Sequence, residues 1–280
     1  MTSLFYKMTG SGNDFVLVDG RTAPVSTWSP EAIRSICARR TGVGADGFVV
    51  LEPGSGPDAV RFHFFNNDGG RTEMCGNASL CSTRMAVRVG LVEGPGLTLE
   101  TDAGAIPTRV LEGPGERAEL FLPDVPALER LDELRGDEAE SVFAGRVGVP
   151  HLVVVVGNVD AVDLANRGRE LRNHPRLAPA GANVNFVSPD PSVGWAMRTY
   201  ERGVEAETLA CGTGAVAASA ALMSIHRAEA PIHLKTASGC VLTVSGVPTA
   251  QGGLTNASLE GEGRLVFSGY LRGAGDAGET

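Results

Sequence analysis

What this 280-residue chain lacks already excludes several kinds of protein. No apolar run approaches the roughly 20 residues of a membrane-spanning helix. The longest, "HLVVVVG" at 151–157, has the length and β-branched content of a buried strand. Basic charge is in deficit: 24 Lys and Arg against 33 Asp and Glu leave a formal net charge of -9. No basic stripe is visible, so neither nucleic acid nor an anionic membrane surface is an expected partner. The opening "MTSLFYKMTGSGNDF" has no apolar stretch of the signal-peptide kind, so the expected location is cytoplasmic. Cysteine is scarce and odd in number. Five cysteines, widely spaced, do not make a disulfide framework in a chain of this length, so each reduced thiol serves either packing or chemistry. Metal-ligand spacing is missing as well: His63, His151, His174, His226 and His233 are scattered, and Cys75 and Cys81 are too far apart for a Cys-x-x-Cys motif.

The elements that are present read as alternating strands and helices. "YKMTGSGNDFVLVDG" predicts two strands around a Gly-rich turn. "SPEAIRSICARR" predicts a helix with Ser29 as N-cap and Pro30 in its first turn, and Cys37 falls on its apolar stripe with Ile33 and Ile36. "GFVVLE" and "VRFHFFN" follow as strands. "GVGADG" at 42–47 has the glycine spacing of a dinucleotide site, but a helix precedes it and a strand follows, the inverse of the required context, so it reads as a loop. Cys81 and Cys240 read as core, the latter within an apolar strand pattern.

Two stretches repeat one arrangement. In "NNDGGRTEMCGNASLCSTRM" and "ERGVEAETLACGTGAVAASAALM" a cysteine follows polar turn residues and precedes a glycine that opens a small-residue helix. Cys75 lies 29 residues before Gly104 and Cys211 lies 28 before Gly239, each with a helix, a strand and a turn between. An internal duplication is the economical reading. "GNDFVLVD" at 12–19 and "ANVNFVSPD" at 182–190 read as a further echo. The second helix is apolar on every face and therefore belongs inside a shell of strands. The first is similar but carries Arg84 and Arg88 on one side. The expected fold is α+β, two similar domains that each wrap strands around a central helix.

A thiol at a helix start sits beside unpartnered backbone N–H groups and the positive end of the macrodipole, which together lower its pKa and can hold a carboxylate. Two such thiols suit stereoinversion at a carbon bearing hydrogen, one thiolate removing a proton from one face while one thiol delivers a proton to the other. Gly76 and Gly212 permit close approach of a substrate, and Asn77 and Thr213 add polar side chains. A buried packing role for each cysteine, and a switchable disulfide in a non-enzymatic redox-responsive protein, are the alternatives. His151 reads either as a core histidine or as a partner for a thiol, and Glu201 and Arg202 as a solvated pair.

With these residues the chain resembles diaminopimelate epimerase, a family of cofactor-independent amino-acid epimerases. The motifs are "MTGSGNDF", "RTGVGAD", "FNNDG", "MCGNA", "GVPH", "GANVNF" and "YERGVEAETLACGTGA", spread over nearly the whole chain. The resemblance implies two pseudo-symmetric domains, each a β-barrel-like sheet around a central helix, with the active site in the cleft between them. The expected boundaries are residues 1–118 completed by a C-terminal strand at about 264–272, then 119–263, with a disordered tail at 273–280. It implies that Cys75 and Cys211 are the acid/base pair and that Gly76, Asn77, Gly212 and Thr213 hold the α-carboxylate. Asn13, Asn66, Asn183, Glu201 and Arg202 would contact substrate, with Arg202 capturing the distal carboxylate and His151 and Glu201 assisting the thiols.

The implied reaction is conversion of L,L- to meso-diaminopimelate for lysine and peptidoglycan precursors, with no cofactor, no metal and a small amino acid as partner. A homodimer is compatible with the sequence. Gly47 and Val149 depart from the family's usual glutamine and asparagine at the distal pocket, and the segment between Glu201 and Cys211 is one residue longer than its commonest form. A racemase or epimerase of another amino acid, of the proline-racemase kind, is the alternative with the same chemistry.

Overall fold

The computed structural model describes residues 2–271, and the expected tail at 273–280 lies outside the described residues. The chain divides into two compact units, one formed by the chain up to Leu120 with the segment from Gly261 onward, the other by Phe121–Glu260.

In the first unit the opening residues make an antiparallel hairpin, β1 (Ser3–Gly10) and β2 (Asn13–Asp19), with Gly10 opposite Asn13. The run "FVLV" in β2 is apolar throughout because both faces of the strand are covered. Phe15 and Leu17 join the core cluster that includes α2 (Gly76–Arg88), while Val16 and Val18 join the cluster that includes α1 (Pro30–Cys37). Helix α1 starts as its sequence predicts: Ser29 Oγ accepts from the Ala32 N–H and Pro30 occupies the first turn, where its missing N–H costs nothing. It is the crossover that lets β2 run parallel to β3 (Gly47–Pro53).

Next come β4 (Ala59–Asn66), β5 (Arg71–Thr72), α2, β6 (Gly96–Thr101), β7 (Gly104–Val110) and β8 (Arg117–Phe121). The last strand of the chain, β18 (Arg264–Leu271), pairs antiparallel with β1. The strands lie side by side as β18-β1-β2-β3-β4-β6-β7-β8. Helix α2 packs against β1, β2, β3, β4, β6, β7 and β18. A sheet that meets one helix along so many strands is curled around it.

The second unit contains β9 (Glu129–Arg130), β10 (Ser141–Val147), β11 (Val149–Val155), α3 (Leu164–Arg172), β12 (Asn183–Asp190) and β13 (Gly194–Glu201). They are followed by β14 (Ala206–Thr208), α4 (Gly212–Ser224), β15 (Ile232–Lys235), β16 (Val241–Pro248) and β17 (Leu254–Glu262). It repeats the first unit step by step: a hairpin (β10, β11), a parallel crossover through a helix to β12, antiparallel β13, and β15 parallel to β13 beyond α4. Helix α4 packs against β10, β11, β12 and β16, and apart from Thr213 and Ser224 its residues are buried. Helix α3 covers the outer face, Leu164 and Leu171 packing with Val142, Leu152, Val154 and Phe186.

Two expectations change. By topology β2 matches β11, and β12 matches β3, so the resemblance between 12–19 and 182–190 does not mark equivalent strands. Each instead opens with an asparagine ahead of buried apolar residues. Cys240 is half-buried in the turn that precedes β16, outside the strand, its N–H bonded to Ser238 Oγ at 3.1 Å. Among the described residues no helix is long and apolar enough to cross a membrane.

Candidate active site

Cys75 and Cys211 are the N-cap residues of α2 and α4, both with extended backbone (φ -139° and ψ 122°, φ -131° and ψ 107°), and neither helix has a side-chain cap. Serine, threonine, aspartate or asparagine usually takes that position and bonds the first turn. A cysteine there places sulfur beside the positive helix end, where the first-turn N–H groups have no partner inside the helix. Gly76 and Gly212 are the first residues of these helices, and Asn77 and Thr213 the second. Cys37 at the end of α1 and Cys81 in the middle of α2 stand elsewhere on their helices: desolvation pushes the Cys37 thiol up to about 11 and Cys81 well above its ordinary value, so both stay protonated.

In the first unit Asn77 is tied back to β2, its Nδ2 donating to Asn13 Oδ1 at 2.9 Å. Asn13 Nδ2 donates in turn to Asp46 Oδ2 at 3.1 Å, and Asp46 also accepts from the Asp14 N–H at 3.2 Å and from Arg39 at 2.6 Å. Burial alone would push the Asp14 carboxyl up, but hydrogen bonds from Arg39 and from the buried Lys7 outweigh it and bring the pKa down to about 2. Asn66, at the end of β4 and opposite Gly47, is exposed and donates to Thr72 Oγ1 at 2.9 Å.

In the second unit His151 on β11 is almost fully buried, and its Nε2 lies 3.0 Å from Thr213 Oγ1. Desolvation brings its pKa down to about 3, the Arg202 charge adding to the effect and the Val147 carbonyl opposing it, so the imidazole is neutral. Thr213 Oγ1 is in turn 3.8 Å from Cys211 Sγ. Asn183 opens β12 and its Oδ1 accepts the Arg202 N–H at 2.9 Å. Glu201 closes β13 in the place that Asn66 holds on β4, and Asn183 stands where Gly47 does on β3. The sequence-derived residues thus gather at matching strand ends and helix starts within the two units. Asn185, fully buried and 3.1 Å from His151 Nδ1, was not among them, nor were Asp14 and Asp46.

A sequence model described as diaminopimelate epimerase matches residues 5–116 and 143–252. The chain belongs to the diaminopimelate epimerase family. It is therefore an isomerase, and its nearly complete correspondence with other members extends this. A diaminopimelate epimerase of Gemmatimonas aurantiaca is 45% identical over 96% of this chain and 99% of its own length, and one of Aquifex aeolicus is 40% identical over 95% and 97%. Among solved structures, a phenazine biosynthesis protein of the PhzF family from Bacillus anthracis superposes with a TM-score of 0.73 at 16% identity, over 97% of this chain and 99% of that one. A hydroxyproline epimerase from Agrobacterium vitis gives 0.68 at 18%, over 96% and 91%. At those identities the likeness is one of fold, and it places this family member's α+β architecture among two-domain folds used by epimerases and PhzF-type proteins alike.

Proposed function

We propose that this protein converts L,L-diaminopimelate to meso-diaminopimelate by inverting one α-carbon without a cofactor, using Cys75 and Cys211 as its two proton-transfer groups. The observation that carries the reading is the uncapped cysteine at the start of both central helices, at the same position of two like units, in a member of this epimerase family. Inversion requires a base on one face of the carbon and an acid on the other, and each unit, which we take as one domain, supplies one thiol. The amide groups that open α2 and α4, at Gly76, Asn77, Gly212 and Thr213, suit the α-carboxylate and the negative charge that grows as the proton leaves. Asn13, Asn66, Asn183 and Glu201 serve the rest of the amino acid. Arg202 is suited to hold the distal carboxylate bidentately. His151 and Glu201 support the thiols. The enzyme works in the cytoplasm on a small-molecule substrate.

The test is incubation of reduced protein with L,L-diaminopimelate in deuterated water. The expected result is meso product carrying deuterium at the inverted centre. Active-site thiols that titrate normally with no inversion would overturn the assignment.

A further inference from the structure

Asn185 is the polar centre of the second unit's interior. Its Oδ1 accepts from Thr199 Oγ1 at 3.0 Å, and its Nδ2 lies 3.2 Å from the Leu152 carbonyl and 3.4 Å from that of Asn183. Carbonyl oxygens only accept, so the atom facing them is the NH2 group. That same NH2 is 3.1 Å from His151 Nδ1, closer than either carbonyl, a geometry that suits a lone pair on that nitrogen. The ring is neutral, so its single proton sits on Nε2 and is donated to Thr213 Oγ1, 3.0 Å away. A hydroxyl that accepts from His151 has its own proton directed elsewhere, and Cys211 Sγ is 3.8 Å from that oxygen. Gly214 belongs to the same arrangement: a Cβ there would stand 2.2 Å from Asn185 Oδ1 and 3.1 Å from Cys211 Sγ, so only glycine lets the amide and the sulfur share the first turn of α4.

We propose that Asn185 is a positioning residue: by holding His151 in the Nε2–H tautomer it turns the Thr213 hydroxyl proton toward the Cys211 sulfur and favours the thiolate there. The inference deepens the role given to Cys211 above and rests on it. The relay belongs to one unit. In the other, the matching helix residue is Asn77, held by Asn13 and through it by Asp46, and it brings no hydroxyl. The two sulfurs are alike in backbone setting, and the threonine hydroxyl two residues on is a feature of Cys211. Arg202 also acts on the His151 ring, and its field disfavours the imidazolium.

The experiment uses the whole protein labelled with 15N-histidine, together with iodoacetamide alkylation read peptide by peptide, so that Cys75 serves as reference for Cys211 in the same molecule. In the wild type the His151 signal should be that of the Nε2–H form. Asn185→Asp, nearly isosteric, replaces the donor with an acceptor and should move the proton to Nδ1 at pH 8. The Cys211 to Cys75 alkylation ratio should then fall by about fivefold, the worth of one hydrogen bond. Thr213→Val should lower the ratio equally without altering the tautomer, and Thr213→Ser should preserve it. An Nδ1–H ring in the wild type, retention of the Nε2 proton in Asn185→Asp, or an unchanged ratio after the tautomer has moved overturns the proposal. If Asn185→Asp does not fold, an unchanged ratio in Thr213→Val does so by itself. None of these readouts needs turnover, so a protein with the relay intact that fails to invert diaminopimelate overturns the proposed function alone.

Discussion

Replacing either N-cap cysteine separates chemistry from stability. Neither thiol caps its helix through a side-chain bond, so Cys75→Ala and Cys211→Ala have no cap to lose, and their melting temperatures should stay close to the wild type. Inversion should fall by about 10²–10⁴, the usual contribution of one positioned acid or base. A large fall in melting temperature with activity retained would return the cysteines to a packing role. His151 gives a second expectation, in pH. Its pKa is about 3 in the fold against 6.5 for the ordinary side chain, so between these values the unfolded chain binds a proton that the folded one does not. Stability therefore falls on acidification below about pH 6.5, by up to ~1.4 kcal/mol per pH unit. Urea midpoints at pH 6 and pH 4.5 should show this loss, and His151→Gln should lack most of it. Asp14, with its pKa held near 2, is lost only lower, between its ordinary 3.8 and that value, so both measured pH values lie above its window. Gly47 gives a third expectation: a Cβ there would lie 2.6 Å from the Phe64 ring and 2.8 Å from the Phe65 carbonyl. Gly47→Ala should cost about 1–3 kcal/mol, measured by the same urea midpoints. Phe64→Leu should recover part of that and no more, because the backbone oxygen remains.

At the scale of elements, two tendencies compete in the first turn of α4. Alanine is a better helix former than glycine by about 1 kcal/mol. At position 214 it would also press on the buried Asn185 amide oxygen, an overpacking cost of about 1–3 kcal/mol or more. Gly214→Ala should therefore lower the melting temperature despite the gain in propensity, and it should lower the Cys211 alkylation rate with it. A stabilised Gly214→Ala protein would show that the helix start can shift freely. This turn also shows why some of the site was legible in the sequence and some was not. Cys-Gly ahead of "TGAVAASAALM" is readable because a small-residue helix apolar on all sides has to be internal, which leaves its N-cap at the edge of the core. Asn185 is harder. In "NVNFV" it sits two residues after Asn183 on the same face of a strand buried from Asn183 to Ser188, and only the fold shows that this face looks onto α4 and His151. Asp46 and Asp14 owe their importance to partners that the chain brings in from 7 to 33 residues away, a distance at which local pattern carries no signal. The mistaken echo of 12–19 with 182–190 has a related cause, since an asparagine entering a buried strand looks alike whichever strand it enters.

At the scale of the whole chain, the repeated plan was readable from the near-equal spacing after the two cysteines, because insertion of residues between helix and following hairpin would have broken it. The order of strands was less so: nothing local in "GRLVFSGYL" says that it pairs with the first strand of the chain. That pairing runs from Ser3 opposite Leu271 to Thr9 opposite Arg264, and the Phe5 and Phe267 rings meet edge to face at 5.8 Å between centroids. It makes the first unit discontinuous in sequence, while the second is one continuous segment. Ending the chain at Gly263 should therefore act unequally on the two units. β1 would lose its hydrogen-bonded neighbour on one side, and Phe5, now 5% exposed, would lose the ring covering it. Amide exchange in β1 and β2 should accelerate by at least about tenfold, equivalent to ~1.4 kcal/mol less protection. The amides of β10 through β13, whose strand partners all lie within 129–235, should keep their wild-type rates. Equal acceleration in both sets would mean that the units open as one cooperative body, and a loss of protection spread over the whole chain would replace the picture of two separately stabilised cores drawn from the packing around α2 and α4.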